Sequence, residues 1–167
     1  SKVPDVGIRQ TLEGIPDGKY CLRAAVGNIQ QNGANSTVNA GEKQTGVTLY
    51  AGIYDTPVDT MKAHKDLYFT VVDGQVTIGF KAENATGNWI CLDNVRLYYL
   101  GGNTPEDYAA YLSRYADDVR KELQAKHIQS AVRQVVEAAI EAAEKASAAE
   151  NPDEKTMAEA KVALDEA

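Results

Sequence analysis

Among the 167 residues only two histidines and two cysteines are present, which narrows the chemistry this chain offers. His64 lies in a polar stretch and His127 at a break in helical periodicity, and neither has a cysteine beside it in sequence to activate. A phosphate-cradling glycine loop, a dinucleotide fingerprint, a nucleophile elbow and an HExxH pair are all missing from the sequence. Cys21 and Cys91 match no zinc or redox spacing. Each falls within an expected strand, which leaves two readings open: buried free thiols, or one bridge between neighbouring strands. Most acidic residues sit on expected helix faces, where solvation accounts for them. No catalytic residue is assigned, and the chain reads as non-enzymatic.

Aromatic residues offer more. Nine tyrosines and one tryptophan stand against two phenylalanines, and a flat ring with a hydrogen-bonding edge suits stacking on a sugar face. Tyr20, Tyr50, Tyr68 and Tyr99 fall inside expected strands, as core or sheet-face residues. Tyr108, Tyr111 and Tyr115 recur at helical spacing. Two rings remain: Tyr54 at a strand end, and Trp89 where a polar link enters the last strand, either as core filler or as ligand platform. Asn84 and Asn88, in the same link, bring amides beside them. Trp89, Tyr54, Asn84 and Asn88 are therefore the candidate ligand-binding set.

Residues 88–100 (NWICLDNVRLYYL) divide the chain, with short strands before them and helices after. The stretch reads as a closing strand whose Val95, Leu97 and Tyr99 face the core, yet Asp93-Asn94 interrupts it. A carboxylate removed from water needs compensation, so a charged partner, a hydrogen-bonded bulge or a bound cation must accompany Asp93.

Further strands are expected over 5–13, 19–28, 45–54 and 67–83, the last range being a hairpin turned at Asp73-Gly74, the strongest turn signal in the chain. Ile15-Pro16-Asp17-Gly18 forms another turn. Residues 28–44 and 55–66 read as loops, and both N-glycosylation sequons, at Asn35 and Asn84, as chance. Strands spaced near ten residues without intervening helices imply an all-β antiparallel sandwich of jelly-roll or immunoglobulin type over 1–102; as a jelly-roll sandwich it is one or two strands short of eight, the missing ones lying before Ser1. From Thr104-Pro105-Glu106-Asp107 the pattern turns helical. Tyr108, Leu112, Tyr115, Val119 and Leu123 form one apolar stripe. Ile128, Val132, Val135, Val136, Ala139, Ile140 and Ala143 form a second, and Met157, Ala160 and Leu164 a third. Residues 103–167 thus make a small three-helix bundle.

A net charge of −7 without any Lys/Arg cluster disfavours nucleic acid and anionic membrane as partners. No apolar run approaches the roughly 20 residues of a membrane-spanning helix, and residues 1–20 lack a signal-peptide pattern.

The segments QTLEGIPDGKYCLRAAV, GVTLYAG and VTIGFKAENATGNWICLDNVRLYYLGG together resemble the galactose-binding-like, carbohydrate-binding-module-like jelly rolls of secreted and cell-surface Bacteroidetes proteins. The likeness covers residues 5–102, with the phrase around Trp89, Asp93 and Asn94 its most specific part, and the trailing helices fit it too. It implies a non-catalytic glycan-binding module of an extracytoplasmic glycan-utilisation protein, attached to neighbouring domains, or a spacer that positions those domains without a ligand. It also implies a structural calcium at Asp93. The early strand that brings the other acidic ligands in such modules is absent here, which favours the bulge over the ion.

Overall fold

The computed structural model describes residues 3–31 and 42–167. Among these, seven strands precede three helices: β1 (Val6–Glu13), β2 (Gly18–Ile29), β3 (Val47–Ala51), β4 (Tyr54–Pro57), β5 (Lys62–Val71), β6 (Gln75–Ala82), β7 (Trp89–Gly101), α1 (Pro105–Ala125), α2 (Ser130–Ser147) and α3 (Glu154–Glu166). The chain divides into two units, Ser1–Gly102 and Asn103–Ala167.

In the first unit two antiparallel sheets face each other, ordered β1-β6-β3-β4 and β5-β2-β7. Alternation along β2 sends Tyr20, Leu22, Ala24 and Val26 into the core, where Val47, Leu49, Phe69, Val71, Phe80 and Ala82 meet them. Residues 55–66, expected as loop, instead hold β4 and the first half of β5. Gly52, in the left-handed region at φ 57°, turns β3 into β4, so the single strand expected over 45–54 is two. The polar residues 54–57 and 62–66 become strands because both lie on sheet edges, where half of each strand faces water.

The Asp73-Gly74 turn is also corrected. Both residues take positive φ (69° and 66°), as a two-residue hairpin requires, yet β5 pairs with β2 and β6 with β1 and β3. The turn therefore carries the chain from one sheet to the other, beside the parallel crossing of β1 into β2. Ile15 N–H donates to Gly74 O (3.0 Å) and Gly74 N–H to Asp17 Oδ1 (2.7 Å), tying the two crossings together.

Among the described residues three strands oppose four, and β7 stands at the edge of the three rather than closing the sandwich. Ile90, Leu92 and Leu97 pack against the core; Val95 and Tyr99 turn to the same side, the Tyr99 ring 5.2 Å from that of Tyr20, but stay exposed at the edge instead of buried as expected. Opposite them the inward face of β1 is uncovered as well, Val6 and Ile8 being 52% and 64% exposed. The loop expected over 28–44 also differs at its ends. Asn28 is fully buried in β2, its Nδ2 donating to Thr45 O (3.2 Å) and Val58 O (2.9 Å), and Gln44 is buried too. The remainder, with the sequon at Asn35, falls at 32–41, outside the described residues.

The second unit has its own core of Leu112, Ala116, Ile140, Ala143, Met157 and Leu164. Thr104 and Asp107 form a reciprocal capping box on α1, and Asp153 caps α3. Val132 and Val135, expected in the apolar stripe of α2, are exposed.

Candidate functional site

With Tyr20, Leu22, Ala24 and Val26 turned inward, β2 sends Cys21, Arg23, Ala25 and Gly27 to the outer face of the three-stranded sheet. Register then decides their neighbours. Tyr68 of β5 and Tyr98 of β7 lie on either side of Cys21, Asp66 and Arg96 on either side of Arg23, and Cys91 opposite Gly27. A Cβ added at Gly27 would lie 2.9 Å from Cys91 Sγ, 3.4 Å from Trp89 Cζ3 and 3.7 Å from Met61 Cε, so the Trp89 indole rests in the space this glycine leaves open.

The result is a strip with an aromatic patch at each end and charge between them. Tyr68 (62% exposed) and Tyr98 (38%) stand at one end, and Trp89 (41%) with Met61 at the other. Cys21 and Gly27 are six residues apart on β2, which sets the two patches about 20 Å apart at ~3.3 Å per residue. Between them Arg23 Nε and Nη2 donate to Asp66 Oδ1 and Oδ2, both at 2.6 Å, while the guanidinium lies 5.8 Å from the Tyr98 ring centre. Hydrogen bonding from Arg23 holds the Asp66 carboxyl below its ordinary range despite partial burial, and the same bond raises the arginine. Burial, reinforced by Asp66, pushes the Cys21 thiol up, and burial with Asp93 does the same at Cys91. Both are protonated thiols at neutral pH, with no thiolate nucleophile between them.

The two cysteines share this face but are separated by about the same 20 Å, far beyond the reach of a disulfide, and both are free. The bridge left open by the sequence does not form. Asp93-Asn94 is a bulge. The β2 pairing steps from Arg23↔Arg96 to Ala25↔Asp93, Asn94 adopts φ 51°, its N–H donates to Asp93 Oδ1 (2.7 Å), and Arg96 Nε donates to Asn94 Oδ1 (3.0 Å). This extra residue lets Leu92 and Leu97, an odd number of positions apart, both face inward. No group of three or more His, Cys, Asp or Glu side chains suited to a metal ion occurs among the described residues. The calcium implied at Asp93 therefore has one carboxylate, already bonded to the Asn94 amide, and no acidic companions; these residues do not fit the ion.

The expected ligand set is not brought together. Trp89 lies opposite Ile29, whereas the Tyr54 ring packs 6.4 Å from Phe69, which pairs with Tyr20. Nine residues of β2, about 30 Å, separate those positions, and Tyr54 packs against the core. Asn88 is spent on the backbone: Oδ1 accepts from Gln31 N–H and Nδ2 donates to Gln31 O, both at 2.7 Å, extending the β2–β7 ladder by one side-chain bridge. Asn84, at φ 51°, shapes the turn out of β6, its N–H donating to Asp5 Oδ1 (2.8 Å). Of the four, Trp89 alone is on the platform. The sequence does not single out Tyr98, Arg23 and Asp66, and it offers Tyr68 only as a core or sheet-face residue. Their strand alternation was readable, but which residues become lateral neighbours depends on register.

Compared with protein-family models, with characterised proteins and with solved structures, the chain matches none.

Proposed function

We propose that the first unit is a non-catalytic carbohydrate-binding module of jelly-roll type, and that an extended glycan binds along the outer face of its three-stranded sheet. The observation that carries this is the row of exposed rings, Tyr68, Tyr98 and Trp89, on the outer sheet face with the Arg23–Asp66 pair between them. Rings set about 20 Å apart suit several sugar units in a chain rather than one, with stacking at the ends and charge-assisted hydrogen bonds to hydroxyls in the middle. Two facing antiparallel sheets, with crossings between them at β1–β2 and β5–β6, support the jelly-roll assignment. The resemblance to galactose-binding-like modules of Bacteroidetes supports the same assignment, and with it we propose a location outside the cytoplasm and a role in glycan utilisation, joined to other domains.

Trp89 is the sole tryptophan, so its fluorescence reports the site directly. Titration with soluble polysaccharides should shift and saturate that emission, and Y98A should weaken binding about tenfold, from roughly 1.4 kcal/mol of lost stacking. W89A should migrate freely through glycan-containing affinity gels. No shift and no retardation with any glycan, in calcium and in EDTA alike, would overturn the reading. The second reading, a spacer positioning neighbouring domains, draws support from the structural duties of Tyr54, Asn84 and Asn88, and is the one that result would leave standing.

A further inference from the structure

The open side of the sandwich lies apart from the outer-face strip. There β7 pairs with β2 on one side only among the described residues, and between its free edge and β1 runs a slot of about 350 Å³. Ile8, Ile78, Leu92 and Val95 line it, with the buried Leu22 and Leu49 at its floor. We propose that this edge pairs with β7 of a second copy of the same chain, the two strands antiparallel about a two-fold axis between Asn94 and Val95.

The argument begins with the bulge. Directly opposed residues of an antiparallel pair point to the same face. In a strand of unbroken alternation, an axis between two neighbouring residues would set every inward side chain against an outward one. The extra residue at Asn94 reverses the alternation at that axis. Ile90 and Leu92 face inward on one side of it, Leu97 and Tyr99 on the other, with Cys91, Asp93, Arg96 and Tyr98 outward. Self-pairing then sets Leu92 against Leu97 of the second copy, Ile90 against Tyr99, and Cys91 against Tyr98, each on a matching face.

The same axis sets Asp93 against Arg96, twice by symmetry. Neither residue is in an ion pair among the described residues: Asp93 accepts from the Asn94 amide and Arg96 donates to the Asn94 side chain. Arg96 also lies directly opposite Arg23, a like-charge pairing, and Asp66 is engaged at both oxygens by Arg23. A carboxylate from the second copy relieves that repulsion. Sliding the pairing by one residue opposes inward to outward positions, and sliding it by two moves Asp93 against Asn94 or Tyr98, so charge and facing select one register. A bulge flanked by charges blunts an edge against unrelated strands, and here that protection is met only by its own sequence.

Light scattering and sedimentation across ~1–100 µM test this directly. The 167-residue chain should show twice the 18.0 kDa of one copy, R96D and D93R should each halve the mass while keeping native circular dichroism, and D93R/R96D should restore it. As a check that does not depend on those charges, C21A/Y98C places a new thiol opposite Cys91 of the second copy, while within one copy the two are seven residues apart on a single strand. Mild oxidation should give a covalent dimer on a non-reducing gel. A single-copy mass throughout, a dimer indifferent to both charge reversals, or no cross-link would overturn the proposal.

Discussion

Replacing Asn94 tests the backbone reason for the polar break in β7. Asn94 holds φ at 51°, a region that costs an L-residue with a Cβ roughly 1–2 kcal/mol and a β-branched one more, while glycine enters it freely. N94V and N94G both lose the exposed hydrogen bond from Arg96, so that small loss cancels in the comparison. Valine adds the conformational cost and stands in a bulge that cannot be removed without turning Leu92 and Ile90 outward. N94V should therefore destabilise the sandwich by about 2 kcal/mol, a lowering of Tm near 10 °C for a unit of this size, and N94G should stay within ~0.5 kcal/mol of the parent. Urea unfolding followed by Trp89 fluorescence, at one fixed protein concentration, reads the sandwich alone because that residue is the only tryptophan. An N94G as damaging as N94V would show that the side chain, not the backbone, holds the bulge. A neutral N94V would show that the bulge relaxes without cost. Either result would refute the reasoning.

Asn28 to Ala should cost about 2–3 kcal/mol in the same assay, because two carbonyls, of Thr45 and Val58, lose their amide donor at a buried site. Asp66, with its pKa lowered by the Arg23 hydrogen bond, contributes stability that is present above its unfolded value of about 3.8 and is lost as pH falls through the lower folded value; D66N should flatten that acid limb of a stability-against-pH curve. Tyr115 behaves oppositely. Burial, with its hydroxyl donating to Asp165 Oδ1 at 2.8 Å, pushes it up to about 12, so its contribution is complete below the unfolded value of 10 and declines as pH rises toward 12. Helical circular dichroism across pH 9–12 should lose that decline in Y115F.

The three helices are legible in the sequence because their signals are local: the start at Thr104-Pro105-Glu106-Asp107, the break in periodicity at His127, and three apolar stripes at helical spacing. That β1, β2 and β6 are strands is equally readable, and so is a sandwich of antiparallel strands; that β1 leaves Val6 and Ile8 exposed is not. Turn chemistry does not fix topology. Asp73-Gly74 fixes two backbone angles, and those angles are compatible with β5 and β6 lying side by side or in opposite sheets. Residue type makes Tyr54, Asn84 and Asn88 ligand candidates, but hydrogen bonds and packing commit them to the fold.

The sequence by itself determined that a β unit precedes a helical one, that β2 is two-faced, and that Asp93-Asn94 needs compensation. Each follows from a period, a cap or a desolvation cost expressed within a few residues of chain. Only the tertiary structure decided that β7 is an edge, that Tyr68 and Tyr98 flank Cys21, and that Trp89 lies over Gly27. Lateral neighbours in a sheet are set by register and sheet assignment, which depend on contacts between residues as distant in sequence as Arg23, Asp66 and Arg96, and no local pattern encodes them.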